Sequence, residues 1–223
     1  MRIDTILWDW NGTLLNDTEI CIQVMNAMLK KRNKPLLSPK HYQEVFTFPV
    51  SEYYQRIGWD FRVEPFEEIG LEFIKGYTER LPEAELFPEA KEILRAINSS
   101  GVQQHILSAM EKNSLVKSVE KRGIASYFDC IHGIDNHYAG GKKELAANLM
   151  ARGFFHAGGT LIIGDTLHDA DIAGFLHTQC LLVANGHQSH SRLSTSKYKV
   201  ISNLYAIRDL IAYLPGEITF SLV

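Results

Sequence analysis

An α/β fold built on a doubly wound parallel sheet, with a small helical segment inserted into it, is what the 223-residue sequence predicts, and three features predict it. Short apolar runs alternate with helical periodicities along most of the chain, which is the pattern of a parallel sheet with right-handed crossovers. Several of those runs stop on a polar residue, placing polar groups along the carboxyl edge of a sheet, where open α/β folds gather their ligands. From Pro39 to about Pro82 the pattern changes to helical spacing with no convincing strand.

The first apolar run, Ile6-Leu7-Trp8, ends at Asp9; Gly12 then allows a sharp turn, and Thr13 offers a hydroxyl and an N–H. Asn11-Gly12 is also a hairpin signal, but no second alternating strand follows it. Instead Ile20, Val24, Ala27, Met28 and Leu29 recur at helical spacing, with Asp17 or Thr18 as the N-cap. Pro35, Ser38 and Pro39 break the chain, and HYQEVF, SEYYQRIG and FEEIGLEFIKGYTERL predict three helices separated by Pro49, Gly58 to Asp60 and Pro65. Sheet connections are short, so an all-helical insert is housed more readily as a separate lobe. The expected division is a core of residues 1–15 and 85–223 and a helical cap of residues 16–84, with hinges near Leu15 to Asp17 and Leu81 to Pro88.

Beyond the cap, Pro88 to Asn98 forms a helix with Ala90, Ile93, Leu94 and Ile97 inward and Gly101 past its end. Val102 to Leu107 is a strand that stops at Ser108, Lys112 to Arg122 a helix, Phe128 to His132 a strand, GIDNHYAGG a loop and Lys143 to Arg152 a helix. Thr160 to Ile163, the most apolar strand, ends in Gly164-Asp165. His168 to Phe175 follows as a helix, then Gln179 to Ala184 and Tyr198 to Ile201 as strands. The series describes a Rossmann-like core.

Composition narrows the function. A 45% hydrophobic, 22% charged chain can bury a core, and a net charge of -3 with scattered Lys and Arg leaves neither a stripe for nucleic acid nor a polybasic membrane patch. Cys21, Cys130 and Cys180 are odd in number and contain no CxxC pair, which points to reduced residues rather than a disulfide framework or a cysteine-rich zinc site. No run reaches the roughly eighteen apolar residues of a membrane span, and no basic leader opens the chain. A cytoplasmic protein, monomeric or homodimeric, is expected.

The strand ends carry Asp9, Ser108 and Asp165, and Lys142 and Lys143 stand just before a helix. Carboxylates for a hard cation, an ammonium for phosphoryl charge and a hydroxyl are what a phosphate-plus-magnesium site requires, and carboxylates serve as nucleophiles toward phosphorus. In order, DWNGTL, LSA, GGKKE and GDTLHDADIA resemble the four motifs of the haloacid dehalogenase superfamily, a likeness running from Ile3 to Ala184 outside the insert.

That resemblance implies a Mg²⁺-dependent hydrolase of a small phosphorylated metabolite, similar to the phosphoglycolate phosphatases. It implies that Asp9 is the nucleophile, forming an aspartyl-phosphate, and also a metal ligand. Asn11 then provides a backbone carbonyl to the metal and stands where the family has an acid–base aspartate. Ser108, Ala109 and Thr13 hold phosphate oxygens; Lys142, or alternatively Lys143, orients nucleophile and phosphate. Asp165 is a metal ligand and Asp169 the supporting acid. FPVSEYYQR corresponds in position to a loop that reads substrates, which suggests Arg56 as a contact for an anionic substrate.

Asn11 departs from the family pattern. An amide cannot exchange the proton that an alkoxide leaving group needs, an effect worth roughly 10²–10⁴-fold. Three explanations compete: leaving groups that need no proton, such as acyl phosphates, or a phosphonate route with Lys75 or Lys40; an acid borrowed from His168, Asp17 or the cap; or a slow or non-catalytic phosphate-binding, regulatory protein. His187 and His190 lie in a loop after a strand, with no third ligand evident.

Overall fold

The computed structural model describes residues 2–134, 141–214 and 217–220. Its helices are α1 (Thr18–Lys31), α2 (Pro39–Val45), α3 (Val50–Arg56), α4 (Phe66–Arg80), α5 (Ala90–Asn98), α6 (Lys112–Lys121), α7 (Lys142–Ala151), α8 (Leu167–Leu176), α9 (His190–Leu193) and α10 (Ile207–Leu210). Its strands are β1 (Thr5–Trp8), β2 (Leu15–Asn16), β3 (Glu85–Leu86), β4 (Gln103–Glu111), β5 (Cys130–Ile134), β6 (Thr160–Gly164), β7 (Gln179–Val183), β8 (Lys199–Ile201), β9 (Ile211–Leu214) and β10 (Glu217–Phe220).

β1 lies inside a six-stranded sheet of order β5-β4-β1-β6-β7-β8, and every pairing in it is parallel. Strand periodicity explains how both faces are covered. Ile6 and Trp8 pack with the apolar residues of α1 and α5, while Leu7 points the other way, into a second cluster with Ala146, Leu149, Ile172 and Ala173. All carboxyl ends therefore meet one edge, and the loops after β1, β4, β6 and β7 share it.

The six predicted strands of this sheet are present, with one difference that matters for the site. β4 continues past Ser108 to Glu111, and its register against β5 shifts between Leu107 and Glu111, so Ser108 lies on an irregular stretch of strand instead of beyond its end. Such irregularities re-aim side chains at the rim of a sheet. Pro39 does not only break the chain: it opens α2 as a first-turn residue, with Ser38 Oγ accepting from His41 N–H at 3.2 Å. β2 and β3 form a two-stranded antiparallel ribbon, so the chain leaves for α1–α4 and returns from them side by side. β9 and β10 pair antiparallel. Of the predicted GIDNHYAGG loop, residues 135–140 lie outside the described residues, and no helix among the described ones is long and apolar enough to cross a membrane.

Candidate active site

Asp9 is held at the end of β1 by its own N–H, which donates to Ile163 O at 2.8 Å. The turn beyond it closes on Trp10 O, which accepts from Leu14 and Leu15. Gly12 sits at φ +74°, and a Cβ there would stand 2.2 Å from Asp165 Oδ2 and 2.5 Å from His187 Cδ2, so both backbone and space demand glycine. This close approach is what brings the loops after β1, β6 and β7 into contact.

Lys142, the first residue of α7, is buried with Nζ 2.5 Å from Asp9 Oδ1 and 2.5 Å from Asp169 Oδ1. Asp169 is itself fixed, because its Oδ2 accepts from Thr166 N–H at 3.1 Å and Thr166 Oγ1 at 2.7 Å in the capping box of α8. The ammonium is thus positioned through a helix cap. Of the two lysines, Lys142 takes this place, while Lys143 Nζ lies over the Phe175 ring at 4.4 Å. Thr13 Oγ1, fully buried, lies 3.2 Å from Asp9 Oδ2 and 3.1 Å from Asp165 Oδ1, and Asp165 Oδ2 accepts from His187 N–H at 2.5 Å. Ser108 Oγ accepts from Met110 N–H at 3.1 Å, and Ser108 and Ala109 border the same cavity.

Carboxylate oxygens of Asp9, Asp165 and Asp169 lie within 4.8 Å of one another. Burial pushes Asp9 up to about 6 against the pull of Lys142, and pushes Asp165 up to about 8 against that of His187. Burial acts on Asp169 too, but the Lys142 charge and the hydrogen bonds from Lys142 and Thr166 outweigh it and hold this carboxyl below its ordinary value. Three buried carboxyls thus crowd one spot, and two of them resist ionisation there. Oxygen donors at such separations fit a small, hard divalent cation such as Mg²⁺.

The family model for haloacid dehalogenase-like hydrolases matches residues 6–183. The chain belongs to this family. A phosphoglycolate phosphatase from Synechococcus elongatus is 20% identical over 173 residues, covering 77% of this chain and 79% of that protein. In fold it resembles a haloacid dehalogenase-like family hydrolase from Streptococcus pneumoniae (TM-score 0.77, 20% identity, 93% of this chain and 98% of the other). It also resembles a predicted phosphoglycolate phosphatase from Haemophilus somnus (TM-score 0.75, 18% identity, 94% and 98%).

Where this hydrolase departs from its family pattern, the structure supplies a second polar cluster. Asn11 Nδ2 donates to Asp17 Oδ2 at 2.8 Å and to Tyr77 Oη at 2.7 Å, and Tyr77 O–H donates to the same Asp17 oxygen at 2.7 Å. Asp17 Oδ1 accepts from Gly12 N–H at 2.9 Å and faces His187 Nε2 at 3.4 Å, while His187 Nδ1 is 2.9 Å from Tyr42 Oη. Asp17 stands at the N-cap position of α1 but makes no capping bond there, because its carboxylate is turned back to this cluster. Burial disfavours its charge, yet His187, Tyr77 and Asn11 together hold its pKa below the ordinary carboxylate value. Burial likewise opposes charge on His187, and Asp17 prevails, raising it to about 9.

Two of the groups suggested by sequence as acids, Asp17 and His168, are both shifted down from their ordinary pKa values. Asp17 is a stabilised carboxylate, and His168, lowered mainly by burial, is a neutral ring stacked on Phe48 at 4.8 Å. Sequence reasoning missed Tyr42, Tyr77 and the pairing of His187 with Asp17. The available signal was that Gly186-His187 follows β7 and so reaches the same sheet edge as Asp9.

The site opens into a cavity of about 390 Å³ roofed by α2–α4, with Phe46, Phe48, Tyr53, Tyr54, Phe73 and Tyr77 among its walls. Arg56 is not brought to it: α3 turns Tyr53 and Tyr54 inward, and Arg56 lies outside, 46% exposed, 3.5 Å from Glu52. Lys40 and Lys75 do not line it either. Lys142 is the sole Lys or Arg among the described lining residues. The roof is pinned to the loop after β7: Gln43 Nε2 donates to Gly186 O at 2.9 Å, Gln188 Nε2 donates to Phe46 O at 3.0 Å, and Arg192 donates to the same Phe46 carbonyl.

One consequence concerns stability. His187 contributes through its charge fully below pH 6.5 and loses that contribution as pH rises through about 9; Asp17 contributes above its ordinary carboxylate range and loses it as pH falls. Asp17→Asn leaves a buried imidazolium without its main partner, so about 3 kcal/mol is lost at pH 7. Urea denaturation at pH 7 and pH 10 checks this, with the gap between variant and wild type narrowing at the higher pH.

Proposed function

We propose that this hydrolase is a Mg²⁺-dependent phosphatase that cleaves a small phosphorylated metabolite through an aspartyl-phosphate on Asp9, with residues 16–84 acting as the cap. The observation that carries the reading is the Asp9 carboxylate held by Lys142 beside Asp165, at the floor of a walled cavity. Asp9 Oδ attacks phosphorus, the bond from phosphorus to the ester oxygen breaks, and water then hydrolyses the acyl phosphate to release phosphate and free Asp9. Lys142, Ser108, Thr13 and the Ala109 backbone bind the phosphoryl oxygens, and Asp169 holds Lys142 in place. Asp9, Asp165 and the Asn11 carbonyl would hold Mg²⁺, which supplies neutralisation of charge between nucleophile and phosphate when bound.

Two features select the substrate. The cavity walls are largely apolar and aromatic, and among the described lining residues Lys142 is the sole Lys or Arg and His187 is already paired with Asp17, so a carboxylate such as that of phosphoglycolate would be desolvated without a partner among them. Asn11 brings no proton to the leaving oxygen, which favours one that departs as a stabilised anion. Both favour an aryl or acyl phosphate with an uncharged body. A metabolite panel with and without Mg²⁺ tests this: aryl phosphates are expected to exceed 2-phosphoglycolate in kcat/KM by about tenfold or more. The reverse order refutes the substrate class. No turnover on any member, together with tight phosphate binding, favours the non-catalytic reading that Asn11 suggests.

Metal dependence has a readout apart from turnover. Mg²⁺ relieves buried carboxylate charge, so adding it raises the melting temperature of the wild type, and Asp165→Asn removes most of that increment. Thermal scans with and without Mg²⁺ measure both.

A further inference from the structure

A second group of donor side chains lies away from these carboxylates. His105 on β4 pairs in register with Cys130 on β5, and His132 follows Cys130 by two residues, so strand alternation turns all three to one face of the sheet. One ligand atom from each lies within 4.8 Å of the others. The two imidazoles stack with centroids 5.7 Å apart, and Phe154 packs edge-on against His132 at 5.2 Å.

His105 is 3% exposed, and neither of its ring nitrogens has a hydrogen-bond partner; His132 Nε2 is likewise buried and unpartnered. Burying such polar atoms unsatisfied costs on the order of 1–3 kcal/mol each, so their grouping with a thiol calls for a ligand. Burial lowers both imidazoles, His132 to about 4, leaving neutral rings whose lone pairs are free to bind. β5 is the edge strand of the sheet, and Cys130 and His132 are half-buried, which leaves a path for entry.

We propose that His105, Cys130 and His132 form a binding site for a borderline-soft divalent metal ion of the Zn²⁺ type, separate from the carboxylate site. Imidazole nitrogen and thiolate are the donors such ions prefer, whereas Mg²⁺ takes oxygen. Tetrahedral zinc spaces its donors roughly 3.3–3.8 Å apart, so side-chain rotation closes the site and leaves a fourth position for water. Binding expels the thiol proton to solvent as Cys130 ligates. The ion ties β5 to β4 three residues before Ser108, roughly 10 Å along the strand.

The test is titration of the metal-stripped full chain with Co²⁺ in the presence of excess Mg²⁺, followed by competition with Zn²⁺. One equivalent is expected to bind with a thiolate-to-cobalt absorption band that Zn²⁺ abolishes. Cys130→Ser removes the band, His132→Gln weakens binding by at least about tenfold, and Cys21→Ser, which alters the thiol near Asp17 and His187, leaves the band intact. A wild type without the band overturns the site, as does a band that survives Cys130→Ser or vanishes in Cys21→Ser. Should Cys130→Ser fail to fold, X-ray absorption on Zn²⁺-loaded wild type decides: one sulfur and two imidazole nitrogens support the site, and a shell without sulfur refutes it.

Discussion

Asp9→Asn lowers turnover by roughly 10⁴-fold or more while leaving the protein folded and its KM little changed. The amide occupies the same volume and still faces Lys142, but its oxygen carries no charge and its nitrogen lone pair is delocalised into the carbonyl, so neither attacks phosphorus, and on the proposed reading one oxygen for Mg²⁺ is lost. The neighbourhood tolerates the change because the wild-type carboxylate is desolvated, with its pKa already pushed up to about 6. Steady-state kinetics on the best aryl phosphate, with circular dichroism as the control for folding, measure the effect. Turnover within tenfold of wild type would remove Asp9 from the chemistry and with it the aspartyl-phosphate.

Asn11→Asp has the opposite sign. It raises kcat on alkyl phosphates by roughly 10²-fold or more and changes aryl phosphate turnover far less, since only the alkoxide needs a proton. The reason lies in the cluster around position 11. A carboxyl placed where Asn11 Nδ2 now sits, 2.8 Å from the Asp17 carboxylate, cannot ionise freely beside a buried like charge. It retains a proton into the neutral range and donates it to Asp17, reproducing the bond that the amide makes. The pH profile of the variant accordingly gains a limb that falls as this carboxyl ionises, and wild type lacks that limb. No gain on alkyl phosphates would mean that another group already supplies the proton.

The two variants separate two questions. The first asks whether Asp9 reacts; the second asks what the amide at position 11 has done to the range of leaving groups. On the proposed reading the aromatic walls bear on the body of the substrate and the amide at position 11 on its leaving group, and an aryl phosphate suits both.

Much of the fold was written in local pattern. Apolar runs ending in Asp9 and Asp165, alternating with helical periodicities, determine a parallel sheet because the periods of strand and helix differ and each must bury one face. Residues carried at strand ends and helix starts, namely Asp9, Lys142, Asp165 and Asp169, were legible for the same reason, that topology sends them all to one edge; Ser108 reaches that edge from the irregular stretch of β4. Tertiary structure alone decided which lysine enters, because Lys142 and Lys143 share one local context and differ only in the face of α7 they occupy. It placed Arg56 outside, since the orientation of α3 depends on which of its side chains meet the core. It also joined Asp17 to His187, and His105 to Cys130 and His132, juxtapositions of distant segments that no window of sequence contains.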